Sequence, residues 1–138
     1  MSEPVRVLVT VLGLDQHEAG ALAVAHLLRD AGVEVVYTGR FNTPQTIASI
    51  AADEDVDVVG VSCHSWEFLH YAAELSTLLR AERPPIPIVV GGSLVTPADR
   101  DEVLAKGIDA AVLPSAPPAE VTETVLGLAA RRRAARAA

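Results

Sequence analysis

The chain is poor in the residues that staple, stain or cross. Its 138 residues include one cysteine, one tryptophan, two tyrosines and two phenylalanines. A single cysteine, Cys63, excludes an intramolecular disulfide and a metal site built from cysteines, and it points to a reducing, cytoplasmic setting. With aromatics scarce, the core has to be aliphatic, and half of the residues are apolar, enough to build one. Basic residues number 11 against 18 acidic ones, for a net charge of −7, which argues against nucleic acid as the main partner. No apolar run approaches the ~20 residues that cross a bilayer, so no membrane partner is expected. No early segment shows the charged-then-apolar order of a signal peptide. Low-complexity linkers and internal repeats are missing too. The length suits one domain over residues 1–138, with a core at about 5–128 and an Ala/Arg-rich tail at 129–138. The tail's Arg131, Arg132, Arg133 and Arg136 read as the solvated, fraying end of a helix, with a docking contact to another chain as the alternative.

What the chain does have is a regular alternation. Residues 5–12 form a near-continuous β-branched and leucine run, the mark of a strand buried on both faces. A helix is predicted over 18–30, stopped by Gly32, then a strand over 33–38. Thr43 caps a helix that has Pro44 at its first position and runs to about 53. Further strands are predicted at 56–62, 86–90 and 110–113. Further helices are predicted at 67–80, at 97–106 with Gly107 as its stop, and from 119 to about 133 behind Pro117-Pro118. Five β-α units in succession imply right-handed crossovers and a parallel sheet. The expected fold is therefore α/β: a flavodoxin-like (Rossmann-like), doubly wound sheet of five strands in the order 2-1-3-4-5.

Such sheets bind ligands beyond the carboxyl ends of their strands, near the point where strand order reverses. The loops that meet there are 13–20, 62–66 and 91–96, and they hold the chemically unusual residues. In the first, Asp15-Gln16-His17-Glu18-Ala19-Gly20 joins a strand to a helix. A carboxylate can hold one imidazole nitrogen and leave the other free for a metal, and a glycine lets the backbone approach something bulky. Asp15 also suits a helix cap, and the two roles are compatible. Gly91-Gly92 suits either a plain turn or a wall without side chains. His64 is a surface loop residue or one that faces a ligand or partner. Trp66 and Phe68 either form a contact surface or pack a helix start. Cys63 reads as a small buried residue, and His26 and His70 on helices have no assigned function.

Leu14-Asp15-Gln16-His17-Glu18-Ala19-Gly20 resembles the Asp-x-His-x-x-Gly signature of cobalamin-binding domains. Val35-Val36-Tyr37-Thr38-Gly39 and Asn42-Thr43-Pro44 resemble the stretch that follows it in the acyl-CoA mutase branch, the methylmalonyl-CoA mutase family. Val59-Gly60-Val61-Ser62 and Val89-Val90-Gly91-Gly92 are similar to that family's third and fourth strand ends, so the resemblance spans about residues 5–121.

The resemblance implies that the cofactor is adenosylcobalamin and that His17 is the lower axial ligand to cobalt, replacing the corrinoid's own dimethylbenzimidazole. Asp15 would be the hydrogen-bonding partner of His17, and Gly20 would give room at the helix start. The freed nucleotide tail would enter a slot beside the sheet, with Ser62 bonding the benzimidazole and Gly91 and Gly92 as bare walls. Gln16, His64 and Ser93 complete the implied cofactor-binding set. Two departures stand out: Ser62-Cys63-His64 replaces the usual Ser-x-Leu, and Leu113-Pro114-Ser115-Ala116-Pro117 replaces a glycine-rich stretch, so a reshaped slot is expected.

No catalytic residue is expected on this chain. The implied role is the small subunit of a two-chain mutase, with the acyl-CoA substrate on a large catalytic barrel subunit. Rival readings are a glutamate mutase-type small subunit and a non-catalytic cobalamin carrier or sensor. A methyl-carrying corrinoid protein ranks lower, because only a short strand and its loop precede Asp15. A receiver domain without cobalamin would need a phosphorylatable aspartate after the third strand, and 62–64 offer none.

Overall fold

The computed structural model describes residues 3–11, 18–40, 42–63, 67–92 and 96–138. Among them strands and helices alternate: β1 (Arg6–Val11), α1 (Ala19–Asp30), β2 (Glu34–Tyr37), α2 (Pro44–Asp53), β3 (Val58–Ser62), α3 (Glu67–Arg80), β4 (Ile88–Gly91), α4 (Pro97–Ala105), β5 (Ala110–Val112) and α5 (Pro118–Ala137). The strands form one parallel sheet in the order β2-β1-β3-β4-β5, as the alternation predicts.

The period-two geometry of β1 sorts its side chains between two cores. Val7, Val9 and Val11 point to the face covered by α1 and α5, where Leu28, Val125 and Leu128 meet them. Leu8 points to the opposite face, against Ile47 of α2 and Leu75 and Leu79 of α3. Helices on both faces account for strands that are apolar without alternation.

Local signals set several boundaries. Thr43 accepts a hydrogen bond from the Thr46 N–H, and Pro44 opens α2. Thr96 and Asp99 form a reciprocal capping box at α4. β3 and β4 begin two residues later than the apolar runs imply. The Val56 N–H returns to the Ala51 carbonyl at 3.1 Å, and the Ile86 N–H to the Leu79 carbonyl at 3.1 Å. Both side chains are buried, but their backbones close the preceding helix rather than join the sheet.

The arginine tail is only partly solvated: Arg131 and Arg136 are exposed, but Arg132 and Arg133 are tied into the fold. α5 continues to Ala137, and Arg132 is only 5% exposed. Arg132 donates to the Val56 carbonyl at 3.1 Å and to the Pro84 carbonyl at 3.3 Å. Arg133 grips Asp57, itself 3% exposed, through two bonds of 2.9 and 3.1 Å, and also donates to the Glu3 and Pro4 carbonyls. Arg136 pairs with Asp55 at 2.8 Å. The Asp57 hydrogen bond raises the Arg133 pKa above its usual value, whereas burial and then neighbouring Arg136 lower that of Arg132. These contacts escape a composition reading because their partners lie 48 to 130 residues away in sequence. No described helix is long and apolar enough to cross a membrane.

Candidate functional site

A cavity of about 200 Å³ lies between the sheet and the α1/α5 layer, reaching the carboxyl ends of the strands. Its floor comes from the sheet face that carries Val9, Gly60, Ser62, Val89, Gly91 and Val112. One wall is α1, where Gly20, Ala21, Val24 and Leu28 recur on one side of the helix. The facing wall is α5, through Val121 and Val125, and Leu113, Pro114 and Ala116 close the far end. Ser62 carries the one polar side chain among the described lining residues.

Three glycines at this site do different work. At Gly60 an added Cβ would sit 3.7 Å from the Leu8 carbonyl and 3.8 Å from Val89, an ordinary contact. At Gly91 the nearest atom would be the Val112 carbonyl at 3.6 Å. Neither residue has a positive φ, so the fold itself tolerates a side chain at both positions. What their bareness creates is the depth of the cavity. Gly92 is different: its φ is +137°, and a Cβ there would overlap the Cys63 carbonyl. Gly92 lines the cavity but is glycine because two backbones cross.

Of the residues singled out from sequence, the structure brings Gly20, Ser62, Gly91 and Gly92 together around this cavity. Asp15, Gln16, His17, His64 and Ser93 lie outside the described residues. The stretch 113–117 does border the cavity, through Leu113, Pro114 and Ala116. Gly60 was missed as a site residue, although a glycine inside a buried apolar strand is a recognisable sign of close approach. The valines of α1 and α5 were missed because a slot wall and a core face share the same helical period.

A second cluster stands at the carboxyl ends of β1 and β2. The Tyr37 hydroxyl donates to Glu18 Oε2, and Arg40 Nε stands 3.8 Å from Glu18 Oε1. Burial, and then the neighbouring Glu18 carboxylate, push the Tyr37 phenol up to about 12. Sequence spacing gave no hint of this contact, which joins residues 19 apart across two elements.

A family model described as the B12 binding domain matches residues 5–122. The chain is 38% identical over 135 residues to the pivalyl-CoA mutase small subunit of Xanthobacter autotrophicus, covering 98% of this chain and 90% of that one. It is 35% identical over 131 residues to the 2-hydroxyisobutanoyl-CoA mutase small subunit of Aquincola tertiaricarbonis, covering 95% and 96%. The methylmalonyl-CoA mutase of Escherichia coli is 31% identical over 123 residues, but there the match spans 89% of this chain and only 17% of the relative. Among solved structures, a cobalamin-binding protein from Desulfitobacterium hafniense superposes with a TM-score of 0.77 at 20% identity, covering 91% of this chain and 60% of that one. The receiver domain of NarL from Mycobacterium tuberculosis superposes with a TM-score of 0.69 at 20% identity, covering 94% and 98%. Likeness at that identity shows a shared fold and nothing more. The family match over most of the length, together with the two near-full-length relatives, places this chain in the B12-binding domain family, among the small subunits of acyl-CoA mutases.

Proposed function

We propose that the chain is the cofactor-holding small subunit of a two-chain, adenosylcobalamin-dependent acyl-CoA mutase, with His17 as the lower axial ligand to cobalt. The observation that carries this reading is the apolar slot floored by Gly60 and Gly91. Its volume of about 200 Å³ exceeds the ~150 Å³ at which an apolar cavity accepts benzene. A flat bicyclic base with one polar edge fits such a lining, and Ser62 offers that edge a hydroxyl.

In this role Asp15 accepts one imidazole N–H of His17, fixes the tautomer and raises the basicity of the other nitrogen. Gly20 keeps the start of α1 clear, while Gln16, His64 and Ser93 border the group from their loops. Ser62 orients the nucleotide base, and Val24, Val121 and Val125 exclude water from it. Adenosylcobalamin, when bound, supplies a cobalt–carbon bond that breaks homolytically and starts radical chemistry. The acyl-CoA thioester is held by a large barrel subunit, and this chain presents the corrin to it in the cytoplasm. The two small-subunit relatives, named for acyl-CoA mutases, support the CoA branch over an amino-acid mutase.

The test is a visible spectrum of the purified chain titrated with hydroxocobalamin, alone and with the barrel subunit. A shift to the base-off, histidine-ligated form is expected for the wild type and not for His17→Ala. A spectrum unchanged in excess corrinoid overturns the proposal.

A further inference from the structure

The strand register arranges the floor of the slot in rows. Ser62 pairs with Gly91 in the outer row, at the carboxyl ends, and Val112 stands beside Gly91. Val9, Gly60 and Val89 make the next row inward, and Val7 lies beyond it, packed in one apolar cluster with Leu28 of α1. Among the described lining residues, the side-chain hydroxyl therefore belongs to the outer row, and the inner rows carry only hydrocarbon.

The backbone beneath these rows has little to add. β3 lies between β1 and β4, and β4 between β3 and β5, so their N–H and C=O groups are spent along the sheet. The Cys63 N–H goes to the Gly91 carbonyl at 2.7 Å, and the Val59 N–H to the Pro87 carbonyl at 2.9 Å. At the far end Pro114 has no N–H to give, and the Ala116 N–H returns to the Leu113 carbonyl at 3.0 Å.

A benzimidazole joined through one ring nitrogen keeps one other, an acceptor that a single hydroxyl satisfies. Its remaining edge is hydrocarbon, and methyl groups on that edge gain from burial. A purine carries nitrogens on both rings and, in adenine, an exocyclic amine as well. One hydroxyl cannot serve them all, and each polar group left unpaired in a dry site costs free energy. Both bases are flat bicycles, so polarity rather than size separates them. Cobalt chemistry pulls the other way: adenine is the weaker base and releases cobalt more readily, so a preference for benzimidazole has to come from the protein.

We infer that the slot selects corrinoids by their lower base, taking a methylated benzimidazole in preference to a purine, with Gly60 supplying the room and the valine rows the discrimination. The inference rests on the slot being the seat of the nucleotide tail.

The test titrates the full chain with three corrinoids in their hydroxo or aquo forms, reading spectrum and affinity. One tail ends in dimethylbenzimidazole, one ends in adenine, and the third corrinoid has no nucleotide tail. The dimethylbenzimidazole form binds wild type at least about tenfold more tightly than the adenine form. Gly60→Leu, which fills the slot, brings the two within about threefold of each other and leaves the tail-less corrinoid's affinity at its wild-type value. Val112→Thr adds a hydroxyl to the floor and narrows the preference. Equal or tighter binding of the adenine form by wild type, with histidine-ligated spectra for both, overturns the selection and leaves the cofactor-holding role standing. A preference that persists in folded Gly60→Leu also overturns it, because the slot is then not its source. Should Gly60→Leu fail to fold, Val112→Thr decides: a preference unchanged in that variant overturns the selection. No spectral change with any of the three corrinoids overturns the functional reading and this inference with it.

Discussion

Ser62 of β3 lies directly opposite Gly91 of β4 in the parallel register. The one hydroxyl among the described lining residues therefore has a bare backbone beside it. Two residues earlier on the same two strands, Gly60 faces Val89 on the same side of the sheet. The floor is thus open along two strands, with Ser62 as its polar group among the described residues.

Filling that floor separates binding from folding. Gly60→Leu places its Cβ at an ordinary distance from Leu8 and Val89 and sends the remaining methyls into the slot. The chain should melt near the wild-type temperature but bind hydroxocobalamin at least about tenfold more weakly, equivalent to about 1.4 kcal/mol. Gly92→Ala should do the reverse. Its positive φ and its overlap with the Cys63 carbonyl destabilise the fold by about 1–3 kcal/mol. Parallel thermal melts and corrinoid titrations of the two variants check the contrast.

The arginine end of α5 should behave as core. Arg133→Ala leaves the buried Asp57 with only the Arg6 N–H at 3.0 Å. Allowing for the partial exposure of Arg133, a loss of about 2–3 kcal/mol is expected. Arg132→Met keeps the bulk but deprives the Val56 and Pro84 carbonyls of donors, for about 1–3 kcal/mol. Urea unfolding measures both. Changes within about 0.5 kcal/mol, the usual range for exposed sites, would mark the tail as solvated after all.

Alkaline pH should loosen the Tyr37–Glu18 tie. The phenol's folded pKa, about 12, lies above its ordinary value of 10.0. A group raised in this way contributes its full stability below the unfolded pKa and loses it as pH climbs through the folded one. The difference in stability between wild type and Tyr37→Phe should hold steady up to about pH 10 and shrink between there and about 12. Melting curves of both proteins across that range test it. Phenolate absorbance offers a second reading, since Tyr37→Phe should lack the component that titrates near pH 12.

Much of this architecture is written locally. Thr43-Pro44 marks the start of α2, and the valine runs mark strands covered on both faces. The slot could be anticipated at Gly20, Ser62, Gly91 and Gly92 because strand ends and glycines leave a trace in sequence order. Val56 and Ile86 misled because burial and strand pairing are separate properties: both are buried, yet both lend their N–H groups to helix ends. Arg132 and Arg133 misled for another reason. Their meaning depends on partners from distant segments, and charge alone reads as solvent exposure until those partners are known.

α5 links two regions that otherwise share little. Near its beginning, Val121 and Val125 form one side of the slot; near its end, Arg132 and Arg133 fasten it beneath the sheet. Fastening the far end of the helix also steadies the slot wall at its near end. A substitution at Arg132 or Arg133 is therefore expected to shift the Val121–Val125 wall while the lining residues themselves stay unchanged.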